Sequence, residues 1–231
     1  MISINCNNIS FSYGHKPSIL FDGISFTYNG PGFHSLFGES GVGKSTMAKI
    51  ISGMIVPHKG GIDCQKVTNI MYSTNQERFP GWQTIASHYN SVLPVHKHDL
   101  WKSMMSDFGI DHCHHSRFDQ LSLGQQNRVN LIRYLLQDEP VLIMDESLAN
   151  VDEHMREKII LLIKNQFPEK CFIYISHHVR EVCKFCDQIV VLRHPKKKPQ
   201  VISMKGQNIR DETSLDLSTL QKNMLDLVHA T

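Results

Sequence analysis

The chain has 231 residues, and its 24 lysines and arginines nearly balance its 22 aspartates and glutamates, which leaves a net charge of +2. A charge so close to zero gives no general electrostatic reason to expect nucleic acid or an anionic membrane as a partner. No apolar run approaches the roughly 18 residues of a membrane-spanning helix, and no signal-peptide pattern opens the sequence. We therefore expect a cytoplasmic protein that binds no nucleic acid.

Two apolar stretches with alternating character, Ile2–Phe11 and Ile19–Phe26, open the chain. Residues 12–17, which contain a glycine and a proline, separate them. Alternation with a period of two on both sides of a turn is typical of paired strands. The sequence therefore predicts an antiparallel β region at the N-terminus.

Residues 38–46, here called the P-loop, read Gly-Glu-Ser-Gly-Val-Gly-Lys-Ser-Thr and match the pattern G-x-x-x-x-G-K-[ST]. The glycines let successive backbone N–H groups converge on one phosphate. Lys44 can then reach the β- and γ-phosphates, and the Ser45 hydroxyl can ligate Mg²⁺. Apolar residues 34–37 and 47–54 predict the flanking strand and helix that this loop needs. We expect a nucleoside triphosphate at Gly38, Glu39, Ser40, Gly41, Val42, Gly43, Lys44, Ser45 and Thr46.

After a strand predicted at 67–72, residues 84–120 lose the strand pattern and take helical spacing. One helical face carries large apolar side chains that we interpret as core contacts: Trp101, Met104, Met105 and Phe108. From Leu121 onward, helices and short apolar strands alternate as far as residue 192, which predicts a parallel sheet covered by helices. Lys196–Lys198, which lies between two prolines, predicts an exposed hairpin turn, with contact to lipid headgroups as the alternative.

Two adjacent carboxylates, Asp145 and Glu146, follow the continuously apolar strand predicted at 141–144. In a doubly wound sheet that strand end lies at the edge where a P-loop also lies. Asp145 can hold Mg²⁺ there, and Glu146 can polarise a water for attack on the γ-phosphate. A P-loop alone leaves kinases, GTPases and ATPases open.

The stretch Leu121-Ser-Leu-Gly-Gln-Gln126, predicted to open a helix with Ser122 as its N-cap, closely resembles the LSGGQ signature of ATP-binding cassette proteins. It departs from that signature at Leu123, where the family usually has glycine. In the family, the signature helix of one subunit points at the γ-phosphate held by the P-loop of a second subunit. The resemblance implies that a second copy of the chain receives Ser122, Gly124 and Gln125 at its nucleotide.

Two further residues fit the same family. Gln76 resembles the glutamine that links Mg²⁺ and the attacking water to the helical subdomain. His177 follows a predicted strand and resembles the histidine that contacts the γ-phosphate and steadies the catalytic carboxylate. The resemblance therefore implies Glu146, His177 and Gln76 as catalytic residues, and Ser45, Gln76 and Asp145 as Mg²⁺ ligands.

Tyr13 and Asp152 also match the family, and the resemblance covers about residues 2–205. Tyr13 resembles the aromatic residue that stacks on adenine, and a core aromatic of the β region is the alternative. Asp152 closes the stretch Ala149–Asp152, which resembles the loop that touches the partner subunit. The resemblance thus implies ATP and Mg²⁺ as cofactors, with Tyr13, the P-loop, Ser122, Gly124, Gln125 and Asp152 at the nucleotide.

The fold that the resemblance implies is an α/β P-loop NTPase core with a mostly parallel sheet, an N-terminal antiparallel β subdomain and an inserted helical subdomain. Residues 1–231 would form one ATPase domain. Its nucleotide-binding core would comprise 1–83 and 121–231, and its helical signature subdomain 84–120.

A single cassette without a membrane segment resembles the separate ATPase subunit of a bacterial importer, which acts as a homodimer on the inner face of the cell membrane. Transmembrane permease subunits and a solute-binding protein would be its partners. Residues 76–85 are nearest in look to nitrate, sulfonate and taurine importer ATPases, so Pro80 and Trp82 are candidate permease contacts; burial of Trp82 is the alternative. A soluble regulatory or nucleic-acid-associated ATPase stays open, as does a cassette that binds ATP without turnover, for which Leu123 is the only support.

Overall fold

The computed structural model describes residues 2–14, 18–211 and 214–231. Its strands are β1 (Ser3–Tyr13), β2 (Ser18–Asn29), β3 (Gly32–Phe37), β4 (Lys59–Gln65), β5 (Ile70–Thr74), β6 (Val141–Asp145), β7 (Cys171–Ile175), β8 (Gln188–Leu192) and β9 (Val201–Lys205). Its α-helices are α1 (Lys44–Ile51), α2 (Ile85–Val92), α3 (His98–Asp107), α4 (Leu123–Leu135), α5 (Glu153–Gln166), α6 (Val179–Phe185) and α7 (Leu217–Ala230).

The N-terminal strands form a three-stranded antiparallel sheet in the order β2-β1-β4. Alternate residues of β1 are buried, beginning with Ile4 and Cys6, and the pairing shifts register between Cys6 and Ile9. The positive φ of 52° at Asn8 accompanies this bulge. The predicted antiparallel β region is confirmed, although residues 15–17 of its predicted turn lie outside the described residues.

The second sheet has six strands in the order β5-β6-β7-β3-β8-β9. Strand β3 runs parallel to β7 and β8, and β6 runs parallel to β7, while β9 closes the sheet antiparallel to β8. All residues of β6 and β7 are buried, as continuously apolar strands of a covered sheet should be. The predicted α/β fold with a mostly parallel sheet is therefore confirmed.

The chain divides into two compact units, which we name by their content. The sheet unit comprises Met1–Tyr72, Glu139–Asp145 and Lys164–Thr231, and the helical unit comprises Ser73–Asp138 and Glu146–Ile163. The helical segment predicted at 84–120 lies inside the helical unit. That unit also contains all of α4 and most of α5.

Aromatic stacking organises the core of the helical unit. The Tyr89 and Trp101 rings stack with centroids 4.9 Å apart, and the Tyr89 hydroxyl donates to the Val129 carbonyl oxygen at 2.6 Å. The predicted core contacts are confirmed, because each of them is at most 1% exposed: Trp101, Met104, Met105 and Phe108.

Element ends were predicted less well than element types. Strand β5 begins at Ile70, where the Asn69 side chain accepts the Ile70 N–H, rather than at residue 67. Helix α7 begins at Leu217, because the Asp216 carboxylate caps its first turn. In the part of the chain that the structure describes, no helix is long and apolar enough to cross a membrane.

Candidate active site

The P-loop follows β3 and leads into α1, within the sheet unit. Gly43 is the N-cap of α1 and has a φ of 102°, which side-chain-bearing residues rarely adopt. A Cβ at this position would lie 2.8 Å from the Phe21 ring. Gly43 offers α1 no side-chain cap, and the N-terminus of a helix is the end that attracts an anion.

Lys44 holds its ammonium within the P-loop. Its side chain is buried, and Nζ donates to the carbonyl oxygens of Gly38 and Glu39, both at 2.9 Å. Ser45 is exposed at the start of α1. The loop therefore presents a cation, a hydroxyl and backbone N–H groups in one place, which is the donor set that polyphosphate requires.

Tyr13 lies on the surface beside this loop. It is 55% exposed, so the alternative that it belongs to the core is wrong. Its ring meets Phe11 edge-on at 4.9 Å, and its hydroxyl lies 3.0 Å from Thr46 Oγ1. Tyr13 also lines a cavity of about 630 Å³ that reaches Gly41 of the P-loop. An exposed ring fixed next to the P-loop is suited to stacking on a base.

Two predicted site residues share a sheet edge with the P-loop. Asp145 ends β6, is 8% exposed, and accepts a hydrogen bond from the Tyr72 hydroxyl at 2.7 Å. His177 is exposed two residues after β7 ends at Ile175. Because β3, β6 and β7 are parallel, their carboxyl ends meet at one edge of the sheet. The sheet unit thus brings together the P-loop, Asp145 and His177.

Glu146 follows Asp145 in the chain and begins a segment of the helical unit. Its φ of 52° is costly for a residue with a side chain, by about 1–3 kcal/mol, and such residues cluster at functional sites. The neighbouring Ser147 is buried, and its hydroxyl bonds the carbonyl oxygen and the hydroxyl of Ser73, each at 3.1 Å. The sequence carried no signal for this anchor, which holds the backbone directly after the strained residue.

The signature turn, residues 121–126, starts α4 with a reciprocal pair of hydrogen bonds. The Ser122 hydroxyl oxygen accepts the Gln125 N–H at 3.3 Å, and Gln125 Oε1 accepts the Ser122 N–H at 2.9 Å. Gln125 Nε2 lies 3.1 Å from His112 Nε2. The predicted N-cap at Ser122 is confirmed. The Gln125 amide already serves the turn itself, so its role at a nucleotide stays a prediction.

Helix α4 lies against the loop that precedes α5. A Cβ on Gly124 would come within 2.3 Å of the Asn150 carbonyl oxygen, so only glycine permits this approach. Asn127 Nδ2 donates to the Ala149 carbonyl oxygen at 2.5 Å. Asp152 caps α5 by accepting the Met155 N–H at 3.0 Å. The helical unit therefore joins the signature turn to residues 149–152.

Gln76, the predicted reporter, is exposed in the turn after β5. Its neighbour Glu77, which sequence reasoning passed over, ties this turn to α4. The Glu77 carboxylate pairs with Arg133 and accepts the Tyr134 hydroxyl at 2.5 Å, while its carbonyl oxygen accepts Asn130 Nδ2 at 2.9 Å. Burial and the bond to Glu77 raise the pKa of Tyr134, so its hydroxyl keeps the proton that it donates.

Trp82 lies on the surface of the helical unit and is 76% exposed. The alternative that it is buried within the subunit is therefore wrong. Aromatic residues are enriched at interfaces, so the exposure of Trp82 is compatible with a contact surface.

Comparisons with known proteins agree on one family. The family model described as ABC transporter matches residues 21–149. The molybdenum import ATP-binding protein ModC of Brucella abortus (strain 2308) is 30% identical over 181 residues, which cover 70% of this chain and 50% of that protein. The ribose import ATP-binding protein RbsA of Lactococcus lactis subsp. lactis (strain IL1403) is 30% identical over 217 residues, covering 83% and 43%. The chain spans about half the length of the curated relatives it matches.

Solved structures agree on the fold. A bacterial ABC transporter cassette solved as a dimer has a TM-score of 0.73 at 20% identity, covering 87% of this chain and 98% of that one. A metal-chelate type ABC transporter in an inward-facing conformation has a TM-score of 0.71 at 18% identity, covering 96% and 90%.

Proposed function

The chain belongs to the ABC transporter family, and we propose that it binds and hydrolyses ATP as the energy-supplying subunit of a bacterial importer. One observation carries the proposal: the sheet unit brings the P-loop, Asp145 and His177 to the same edge of a parallel sheet. The P-loop supplies contacts for polyphosphate, and the other two residues supply the carboxylate and imidazole that phosphoryl transfer needs beside it.

Binding begins at the phosphates. Lys44 and the N–H groups at the start of α1 hold the β- and γ-phosphates, and Tyr13 stacks on the base. The Ser45 hydroxyl and the Asp145 carboxylate are hard oxygen donors of the kind that Mg²⁺ takes, and Gln76 would add an amide oxygen. Asp145 is oriented for this role because Tyr72 holds one of its oxygens. Bound Mg²⁺ would neutralise charge on the phosphates.

Hydrolysis requires a base for water and a donor to the γ-phosphate. Glu146 takes the proton of the attacking water from a left-handed backbone position, with a φ of 52°. His177 contacts the γ-phosphate from the end of β7. Gln76 reports the state of the γ-phosphate to the helical unit, where Glu77 passes any shift of its turn to α4.

A second copy of the chain completes each site. Ser122, Gly124 and Gln125 at the start of α4 would approach the phosphate on the partner's P-loop, and Asp152 would lie at the same junction. Ser122 and Leu123 are exposed at the N-terminus of a 13-residue helix, the end that attracts anions. We accordingly treat residues 1–231 as one ATPase domain, with 84–120 as its helical signature subdomain.

The importer assignment has two supports. The relatives named above are import ATP-binding proteins, and the helical unit exposes Trp82 as an anchor for another subunit. Transmembrane permease subunits would hold the chain at the inner face of the membrane, with a solute-binding protein in the same system. The look of residues 76–85 supports a likeness to the ATPases of nitrate, sulfonate and taurine importers.

Glu146→Gln tests the proposed chemistry, because it removes the base and preserves size and hydrogen bonding. We expect steady-state ATP hydrolysis to fall by about 100-fold or more while ATP affinity stays the same. Glu169→Gln, an exposed carboxylate outside the site, is the matched control. Unchanged hydrolysis by the Glu146 variant contradicts the assignment of the base. Copurification of the wild-type chain with a multi-span membrane protein separates the importer from a soluble regulatory or nucleic-acid-associated ATPase.

A further inference from the structure

The cavity beside the P-loop has a second group of lining residues with no part in phosphate binding. Its volume of about 630 Å³ falls within the roughly 300–1,000 Å³ of small-molecule sites. Tyr13, Ile19 and Leu20 supply an apolar surface, and Gly41 marks the junction with the P-loop. Among residues 2–14, 18–211 and 214–231, the other lining residues are Asp22 and four from the turn between β8 and β9: His194, Pro195, Lys196 and Lys198.

We propose that the turn at residues 194–198, here called the basic turn, recognises the nucleoside half of the bound nucleotide through His194 and Lys196. The inference rests on the proposed function, since the P-loop must hold the phosphates before the base and ribose can occupy the cavity. With Tyr13 on the base, the polar atoms left to recognise are the edge of the base and the ribose hydroxyls. The basic turn supplies hydrogen-bond donors for these.

Hydrogen bonds to β2 hold the basic turn in place. Gln200, buried at the end of the turn, donates through Nε2 to the Leu20 carbonyl oxygen at 2.7 Å and accepts the Asp22 N–H at 3.2 Å. Lys198 Nζ lies 2.9 Å from Asp22 Oδ2. The turn is thus fixed on the strand that carries Ile19 and Leu20, so its donors are pre-organised at the cavity.

Within the turn, the side chains of His194 and Lys196 are the hydrogen-bond donors that we assign to the nucleoside. The Lys196 N–H donates to His194 Nδ1 at 3.2 Å, so in the neutral ring the proton resides on Nε2 and can be donated to a ligand. The ammonium of Lys198 is engaged by Asp22, and that of Lys197 donates to the Thr231 carbonyl oxygen at 2.5 Å. Lys196 is exposed and lines the cavity.

The same observations disfavour a lipid-contacting role for the three lysines. Polybasic segments that bind anionic lipid contain about four to eight cationic residues directed at the membrane. Here two of the three ammonium groups have protein partners, which leaves too few for that mode of binding.

Isothermal titration of the full chain with three probes tests the proposal: MgATP, MgADP and magnesium tripolyphosphate, which lacks the nucleoside. We expect His194→Ala and Lys196→Ala each to weaken ATP and ADP binding by about three- to tenfold, the effect of losing one hydrogen bond, without changing tripolyphosphate affinity. Lys197→Ala is the matched control, since it lies in the same turn and outside the cavity lining, and it should bind all three probes like the wild type.

Several results would overturn the proposal. One is an unchanged ATP affinity in the His194→Ala/Lys196→Ala double variant, whether or not that variant loses binding to phosphatidylserine vesicles. Another is an equal loss of tripolyphosphate affinity, which would place the turn at the phosphates. Equal affinity of the wild-type chain for tripolyphosphate and ATP would contradict the nucleoside pocket, while the assignment of the P-loop to the phosphates would stand. A wild-type chain that binds neither removes the proposed function as well.

Discussion

Helices α1 and α4, one in each unit, begin in different ways. Helix α1 begins at Gly43, which has no side chain, whereas α4 begins at Ser122, whose hydroxyl oxygen already accepts the Gln125 N–H. Helix α1 thus has no side-chain cap, and the Lys44 ammonium lies within the P-loop that precedes it. The signature turn satisfies part of its own helix end. We therefore expect the P-loop to bind phosphate within one copy of the chain, and the signature turn to add to a phosphate held by another copy.

Removing the cation of the P-loop should have the largest effect. We expect Lys44→Ala to lower ATP affinity by more than about 100-fold, because charge-assisted contacts to two phosphates are lost together. Ser122→Ala should leave ATP affinity of the isolated chain within about twofold, since only the helix cap is altered. Titration calorimetry at low protein concentration measures both. If the two variants lose affinity equally, the division of labour between the helix starts is wrong.

The glycine of the signature turn should matter for the stability of the fold, apart from its proposed place at the nucleotide. Gly124→Ala would place a Cβ 2.3 Å from the Asn150 carbonyl oxygen, and we expect the free energy of unfolding of the helical unit to fall by about 1–3 kcal/mol. Gly81→Ala, whose nearest neighbour would be 3.8 Å away, is the control and should be nearly neutral. Urea denaturation compares the two variants. Equal stability would show that α4 does not pack on residues 149–151 as described.

The stability of the sheet unit should depend on pH through Lys164. Lys164 is buried, its ammonium donates to the carbonyl oxygens of Phe185 and Ile209, and burial lowers its pKa from 10.5 to about 8. Between those values the unfolded chain binds more protons than the folded one, so this group makes stability rise with pH.

Urea denaturation of the wild type and Lys164→Met between pH 8 and 10 measures this dependence. As the pH rises, we expect the free energy of unfolding of the wild type to increase relative to that of the variant, by at most about 1.4 kcal/mol per pH unit. Parallel curves for the two proteins would mean that the pKa of Lys164 is ordinary.

Local chemistry made part of the site predictable. The P-loop, the N-cap at Ser122 and the buried strand before Asp145 each depend on residues close together in sequence. The anchor at Glu77 was not predictable, because its partners Arg133 and Tyr134 lie more than fifty residues away. The exposure of Tyr13 and Trp82 was equally out of reach, since an aromatic residue fits a core and a contact surface alike.

Mixing two inactive variants tests the central claim, that two copies of the chain build each hydrolytic site. Lys44→Ala removes the P-loop cation. Ser122→Asp keeps the N-cap but sets a negative charge against the partner's γ-phosphate. Neither should hydrolyse ATP alone, yet their mixture should recover activity, because mixed dimers contain one site with an intact P-loop and an intact signature turn. A mixture as inactive as its components would contradict the account.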